Sequence, residues 1–410
     1  MSESSLSAKR HANPALVSVA DAHILMLDAA LPLACESVGL DQARGRVLAA
    51  PVTAVRDQPP FAASEMDGYA VCTADTPGRL RLIGESAAGH GFAGLCGKGQ
   101  AIRISTGAAL PDGADAVVIQ ENVRRDGAMI EAPQAAAGQH IRPRGLDFCV
   151  GARLLEKGTR LDGIALALAA AAGAAVLPVA CRPRVAILSG GDELAEPGAN
   201  PGPFQIFDSA TRGIAALVQD WGGTAQRLAL LKDKETDIAH AAQDALAHHD
   251  LLVLIGGASV GDHDHARPAL LKLGLQMTVD KVALRPGKPT WFGLVGARPV
   301  LGLPGNPASA LVCAHLFLRP LIEAMLGRDP QVPVGKARLS HGLPANGPRE
   351  HYLRARLDRS GAENSVRAFE QQDSSLLSVF ASANALIRLA PHAPALESGA
   401  LVDVLALDRS

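Results

Sequence analysis

The chain has 410 residues, too many for one hydrophobic core, so two to four domains are expected. Its 39 basic and 41 acidic residues leave a net charge of −2, which excludes bulk attraction to nucleic acid or membrane. Aromatic residues make up only 3%, too few for a base-stacking surface, so any anion chemistry must come from local placement.

The first residues are polar and carry no secretory signal. From Ser18 to Leu48 apolar residues recur at helical spacing, with Ser18 and Asp21 as capping candidates, and Pro51 closes the segment. From Val52 to about Arg142 short apolar runs such as RLRLIG, AIRIS and AVVIQE alternate with glycine and proline, the texture of a small β-rich insertion. Within it, Asp67-Gly68 of SEMDGYAV reads as a hairpin turn. At its end RPRGLD offers Arg142 and Arg144, suited to bidentate phosphate binding, beside Asp147. The uncharged stretch Gly163 to Ala180 approaches the length of a membrane span. Gly173 and Pro178 divide it, so a buried helix from Leu161 to Ala172 and a short strand explain it better, and a soluble protein is expected.

After Arg184 strands alternate with helices: RVAIL, GIAALVQDW, AQRLALL, ETDIAHAAQDALAHH, LLVLI, PTWFGL, PVLGL, then a helix from Ala308. This rhythm implies a doubly wound, parallel sheet with ligands at the carboxyl ends of its strands. The loops after Leu188, Ile255 and Leu303 would share one mouth. Beyond Val332, KARLS, REHYLRARL, NALIRLA and LVDVLAL suggest a small antiparallel sheet or barrel. The six cysteines form no CxxC motif and are expected to be reduced and mostly buried.

Chemistry gathers at the three strand ends. Gly256-Gly257 and Ser259 form a glycine turn able to present backbone N–H groups and a hydroxyl to an anion. The GxSxG pattern there fits a hydrolase elbow poorly, because Asp262-His263-Asp264-His265 follows and Pro268 delays the helix, so a serine hydrolase is the lesser reading. By itself that acidic run reads as a solvated loop, and a zinc or magnesium site are the alternatives. Lys288 sits in a Pro-Gly-Lys-Pro turn that restricts it, and Leu301 to Ala310 ends a strand with Pro304 and Pro307 before a helix start. SGGDEL carries Glu193 after the first strand. No GxGxxG with an acidic partner appears, so a phosphate-bearing small molecule is favoured over a dinucleotide.

MDGYAV, STGA, RPRGLD, GDEL, GGASVGDHD, PGKP and GLPGNPAS occur in this order along nearly the whole chain. Together they resemble the molybdopterin molybdenumtransferase family, MoeA, which is similar to the gephyrin E domain. The resemblance implies insertion of molybdate into adenylylated molybdopterin with release of AMP, assisted by Mg2+ or a similar divalent cation. It implies Asp67, Asp147, Glu193 and Asp264 as functional acids, with Asp67, Glu193 and Asp264 toward the metal. Thr106, Lys288, Pro304 and Pro307 would shape the pterin and oxyanion pocket.

The resemblance also implies an elongated, cytoplasmic homodimer whose site lies between the sheet domain of one subunit and the MDGY-bearing domain of the other. Partners would include the upstream adenylyltransferase and molybdoenzyme apoproteins, but no nucleic acid or membrane. The expected fold is multidomain α/β: a helical linking domain (15–51 and 143–182), a β-rich insertion (52–142), a doubly wound, MogA-like molybdopterin-binding domain (183–328) and a C-terminal β-barrel-like domain (329–410). A non-catalytic pterin-binding scaffold or the adenylyltransferase itself are the alternatives. Departures from the family pattern are Glu65, Ala210, Arg285 and a C-terminal segment lacking a histidine, from which only Ser374 carries over.

Overall fold

The computed structural model of the protein describes residues 16–232, 234–256, 265–332, 334–361 and 363–407. These fall into two compact units, Ser37–Val179 and the described residues on either side of it.

The larger unit is built on a six-stranded sheet in the order Thr224–Arg227, Arg184–Ser189, Leu251–Ile255, Arg298–Leu303, Trp291–Val295, Leu275–Val279. The first four strands run parallel and the last two are antiparallel additions. The apolar runs are buried on both faces, as a sheet covered by helices requires. Helices Glu235–His248 and Ala266–Lys272 cover one face through Ile238, Ala242, Ala269 and Leu270. Helix Ala210–Asp220 packs on strand Arg184–Ser189 and on helix Pro307–Cys313. Trp291 pairs with Gly302, and its fully buried ring lies where a Gly302 side chain would be, 2.0 Å from an added Cβ. Only glycine fits there.

Pro307–Met325 is one continuous helical run, apolar and long enough to span a bilayer, yet 89% of that window is buried inside the fold. A π-turn at Ala314–Leu318 precedes Pro320. Proline has no N–H to give to the carbonyl four residues back, that of Leu316. His23 Nε2 takes that carbonyl instead, at 2.6 Å, with its ring edge-on to Phe317 at 5.2 Å. The first helix is therefore tied to a defect in the core helix.

Strands Val334–Leu339, Glu350–Asp358, Ser365–Ala368, Ala385–Leu389 and Leu401–Ala406 close into a five-stranded barrel. Leu284–Arg285 joins it in parallel register, Leu284 opposite Glu350 and Arg285 opposite His351. This pairing docks the Pro286–Pro289 turn of the sheet domain against the barrel. The smaller unit holds a second six-stranded sheet, in which Gly68–Val71 lies between Ala116–Ile119 and Gln100–Ile104. Its other apolar cluster surrounds helix Gly163–Ala171, capped by Asp162 and followed by Gly173 at φ +89°.

Several expectations need correction. The helix beginning at Val19 ends at Leu27, far short of Leu48, because Pro32 follows and Cys35–Gly39 is a strand. Asp67-Gly68 is not a hairpin turn, since Ala63–Ser64 pairs with Ile141–Arg142 and not with Gly68–Val71. Helix Ala266–Lys272 begins before Pro268, which sits harmlessly in its first turn. The thiols are free, but only Cys96 and Cys313 are buried.

Two predictions follow from the buried imidazoles. His23→Ala leaves the carbonyl of the buried Leu316 without its partner and should cost about 1–3 kcal/mol, read as a lower thermal midpoint. Adding Pro320→Ala should recover part of it by restoring the helical N–H. Burial, reinforced by Arg285, Arg349 and Arg354, pushes His351 down to about 4. The unfolded chain then binds a proton that the folded chain refuses, so this stabilisation is complete above about pH 6.5 and lost as pH falls toward 4. Urea titrations at pH 7 and 4.5 should show His351→Gln removing roughly 2–3 kcal/mol of the wild-type pH dependence.

Candidate active site

The carboxyl ends of three parallel strands meet at Ser189, Ile255 and Leu303. Gly256, at φ +83°, donates its N–H to the Leu303 carbonyl at 3.1 Å, so that N–H is not available to a ligand as the sequence suggested. A Cβ on Gly305 would come within 3.5 Å of the Gly256 Cα. The two turns therefore approach backbone to backbone, leaving an open pocket of about 590 Å³ above them. Glu193, Asp208, Gly256, Pro304 and Pro307 are among its walls. Glu193 is exposed and its carboxylate overlies Gly191, where an added Cβ would meet Oε2 at 2.4 Å. Asp208, 2% exposed, accepts from the amide of Thr211 at 3.2 Å and from its hydroxyl. The sequence reading missed Asp208, although it lies two residues before Ala210.

A second pocket of about 600 Å³ shares Pro289, Pro304 and Asn306 with the first. It gathers the cations Arg285, Lys288 and Arg349. The turn carrying Lys288 is packed tightly: a Cβ on Gly287, at φ +122°, would lie 2.4 Å from the Cys313 sulfur. Thr290 donates to that sulfur at 3.2 Å, and burial pushes the thiol up to about 12, so it stays protonated. Against the three cations stand Glu370 and Asp373, and Asp373 is turned onto the amide and hydroxyl of Ser375 at 2.9 and 2.6 Å. Those bonds hold the Asp373 carboxyl below the usual carboxylate range.

The far wall comes from the barrel and was not legible beyond Ser374. Arg354, 1% exposed, donates to Gln372 Oε1 at 3.2 Å and to the carbonyls of Asp373 and Leu376 at 2.8 and 3.3 Å. Gln372 answers by donating to the Arg354 carbonyl at 2.9 Å. The loop so fixed brings Ser374 Oγ to Asn306 Nδ2 at 2.7 Å, at the start of the core helix.

In the smaller unit the three motif stretches are stitched by main-chain bonds. Gly107 donates to the Ser64 carbonyl at 2.9 Å, Glu65 to His140 at 2.9 Å, and Asp147 to Gln58 at 2.9 Å. Asp67 Oδ1 accepts from the Thr106 amide at 2.7 Å and its hydroxyl at 3.1 Å. The Thr106 amide first, then its hydroxyl, hold this carboxyl below the usual range, so the exposed Asp67 is ionised. Gly68 is required behind it, because a Cβ would strike the Val118 carbonyl at 2.1 Å. Arg144 is ion-paired with Asp57, a residue that the sequence reading missed. Asp57 also accepts from the Val150 amide at 2.7 Å, the main cause of its lowered pKa. Arg142 and Asp147 are exposed. The Glu65 carboxylate stands 3.8 Å from the His140 ring.

Gly257, Ser259 and Asp264 lie outside the described residues. Among the described residues no three acidic, histidine or cysteine side chains gather as a metal cage. Within the sheet domain Glu193 is a single exposed carboxylate, the kind of ligand a hard divalent cation takes together with substrate oxygens and water.

Residues 17–173 match the MoeA N-terminal region (domain I and II), 186–324 the probable molybdopterin binding domain, and 336–407 the MoeA C-terminal region (domain IV). The molybdopterin molybdenumtransferase of Nostoc sp. is 35% identical over 333 residues, 78% of this chain and 76% of that protein. Molybdopterin molybdenumtransferase 2 of Mycobacterium tuberculosis is 35% identical over 367 residues, 86% of this chain and 90% of its own length. Two solved structures of the molybdopterin biosynthesis MoeA protein from Pyrococcus horikoshii superpose with TM-scores of 0.83, at 30% and 27% identity. They cover 97% and 96% of this chain, and all of theirs. With its sheet domain, its β-rich smaller unit and its closed C-terminal barrel, the chain belongs to the MoeA family.

Proposed function

We propose that this protein inserts molybdate into adenylylated molybdopterin and releases AMP. The family makes it an enzyme of molybdenum cofactor biosynthesis, and the observation that carries the specific reading is the pair of adjoining pockets. One lies at glycine turns on the strand ends, the place where open parallel sheets bind their ligands. The other gathers Arg285, Lys288 and Arg349, and molybdate is a dianion. The two pockets share a wall at Pro289, Pro304 and Asn306, which supports a reading in which the oxyanion lies next to the phosphoanhydride.

Cleaving that anhydride builds charge on the departing phosphate, so positioning and charge stabilisation suffice without a covalent nucleophile. Lys288 and Arg349 hold the oxyanion, while Pro286, Pro289 and Gly287 fix where Lys288 starts. Glu193, Asp67, Asp147 and Asp264 are the proposed acids, and Ser259 a proposed donor. A Mg2+ ion held by Glu193, Asp67 and Asp264 would supply charge neutralisation at the phosphate oxygens. Thr106 keeps Asp67 ionised and oriented for that duty. Arg142, exposed and beside the MDGY stretch, is the better phosphate candidate, since Asp57 already engages Arg144.

The proposal extends to a cytoplasmic homodimer in which the MDGY-bearing domain of one subunit completes the sheet-domain site of the other. It also keeps the four-part division at residues 52, 143, 183 and 329 stated above. The upstream adenylyltransferase and molybdoenzyme apoproteins are its proposed partners.

Lys288→Ala tests the oxyanion pocket. The side chain is exposed, so the fold should survive, while losing a charge-assisted contact should weaken molybdate binding by about 1.5–3 kcal/mol. The KM for molybdate in AMP release should rise at least tenfold, and AMP affinity should hold. An unchanged molybdate KM would reduce Lys288 to a surface charge.

A further inference from the structure

The closed barrel opens at one end into a cavity of about 460 Å³. Leu343, Leu353, Ala368 and Leu389 line it and also belong to the buried barrel core, so its floor is apolar. Its rim carries Arg285, His341, His351 and Glu370. Barrel mouths with an apolar floor and a few placed polar groups are where small molecules bind. The rim groups lack internal partners among the described residues. His351 is only 8% exposed and forms no side-chain hydrogen bond, and His341 Nδ1 is buried without one. Glu370 has no ion pair. Burial keeps His351 neutral at physiological pH, so its ring offers one donor and one acceptor.

This cavity is the third of a row. The glycine pocket shares Pro289, Pro304 and Asn306 with the cationic pocket. The cationic pocket in turn shares Arg285, Glu370 and Gln372 with the barrel mouth. The substrate of the proposed reaction has the same linear order: nucleotide, phosphoanhydride, dithiolene, pterin. With phosphate in the glycine pocket and molybdate among the cations, the dithiolene must reach the middle compartment and the pterin must lie beyond it.

We propose, resting on the function assigned above, that the mouth of the C-terminal barrel holds the pterin ring. A flat bicycle needs an apolar bed and a mixed edge of donors and acceptors, and this cavity supplies both. The Glu370 carboxylate matches the adjacent amino and ring N–H groups of a pterin, two parallel donors on one edge. Arg285 and the imidazoles face its carbonyl and ring nitrogens. The cationic pocket, lined by Arg, Lys, Asp, Glu, Asn, Gln, Ser, Gly and Pro, offers no comparable apolar bed. The barrel is then a substrate-recognition domain.

Two variants test this by calorimetry with adenylylated molybdopterin, AMP and molybdate as separate probes. Glu370→Gln removes the paired acceptor, and Ala345→Trp, on the exposed rim, fills the mouth. Both should weaken adenylylated molybdopterin by about tenfold or more while leaving AMP unchanged and molybdate equal or tighter. Unchanged affinity for adenylylated molybdopterin in either variant overturns the assignment, as does a parallel loss for AMP or molybdate. A wild-type protein that binds adenylylated molybdopterin but releases no AMP would instead sink the functional reading.

Discussion

Two glycines set the geometry on which the candidate site depends. Gly256 and Gly305 follow neighbouring parallel strands, their main chains lie close together, and the φ of +83° at Gly256 is one that glycine adopts without strain. The mouth of the sheet is consequently walled by backbone and by residues brought from elsewhere. The same economy recurs one layer back. Gly302 makes room for Trp291, which fills the sheet beneath the site, and Gly287 lets the lysine turn lie on Cys313 of the core helix. Side chains at Gly302 or Gly287 would displace buried neighbours, so the layer beneath the site is held by close packing.

Charge is then added from loops that this floor cannot supply. The chain as a whole is nearly neutral, yet Arg285, Lys288 and Arg349 converge on one compartment. Two of them reach it because strand Leu284–Arg285 pairs with Glu350–Asp358, and Arg349 immediately precedes that barrel strand. Arg354, buried in the barrel, fixes the loop that brings Ser374 to Asn306. The barrel thus shapes the anion compartment as well as bounding it. The Arg349 guanidinium is itself braced by the Leu284 carbonyl at 3.2 Å.

The sheet was legible because its signals are local. Unbroken apolar runs such as LLVLI, each ending on glycine or proline, mark buried parallel strands and their carboxyl ends. Gly173 and Asp162 likewise marked the ends of the alanine-rich helix. What escaped depends on distant partners. Nothing near Arg354 announces that it will be buried against Gln372, and nothing near Asp57 shows that it will engage Arg144. The helix expected to Leu48 failed for a related reason. Its apolar spacing persisted past Pro32, but the chain there serves a strand, Cys35–Gly39. His23 found its role only through the proline-made defect at Leu316, about three hundred residues away in sequence.

The central claim is that anhydride cleavage in this protein is coupled to molybdate. It is met most directly by a single turnover of the purified full-length protein with adenylylated molybdopterin and magnesium. AMP should appear only when molybdate is supplied, and in proportion to the metal gained by the pterin. AMP released at the same rate without molybdate, or none released with it, would contradict the account.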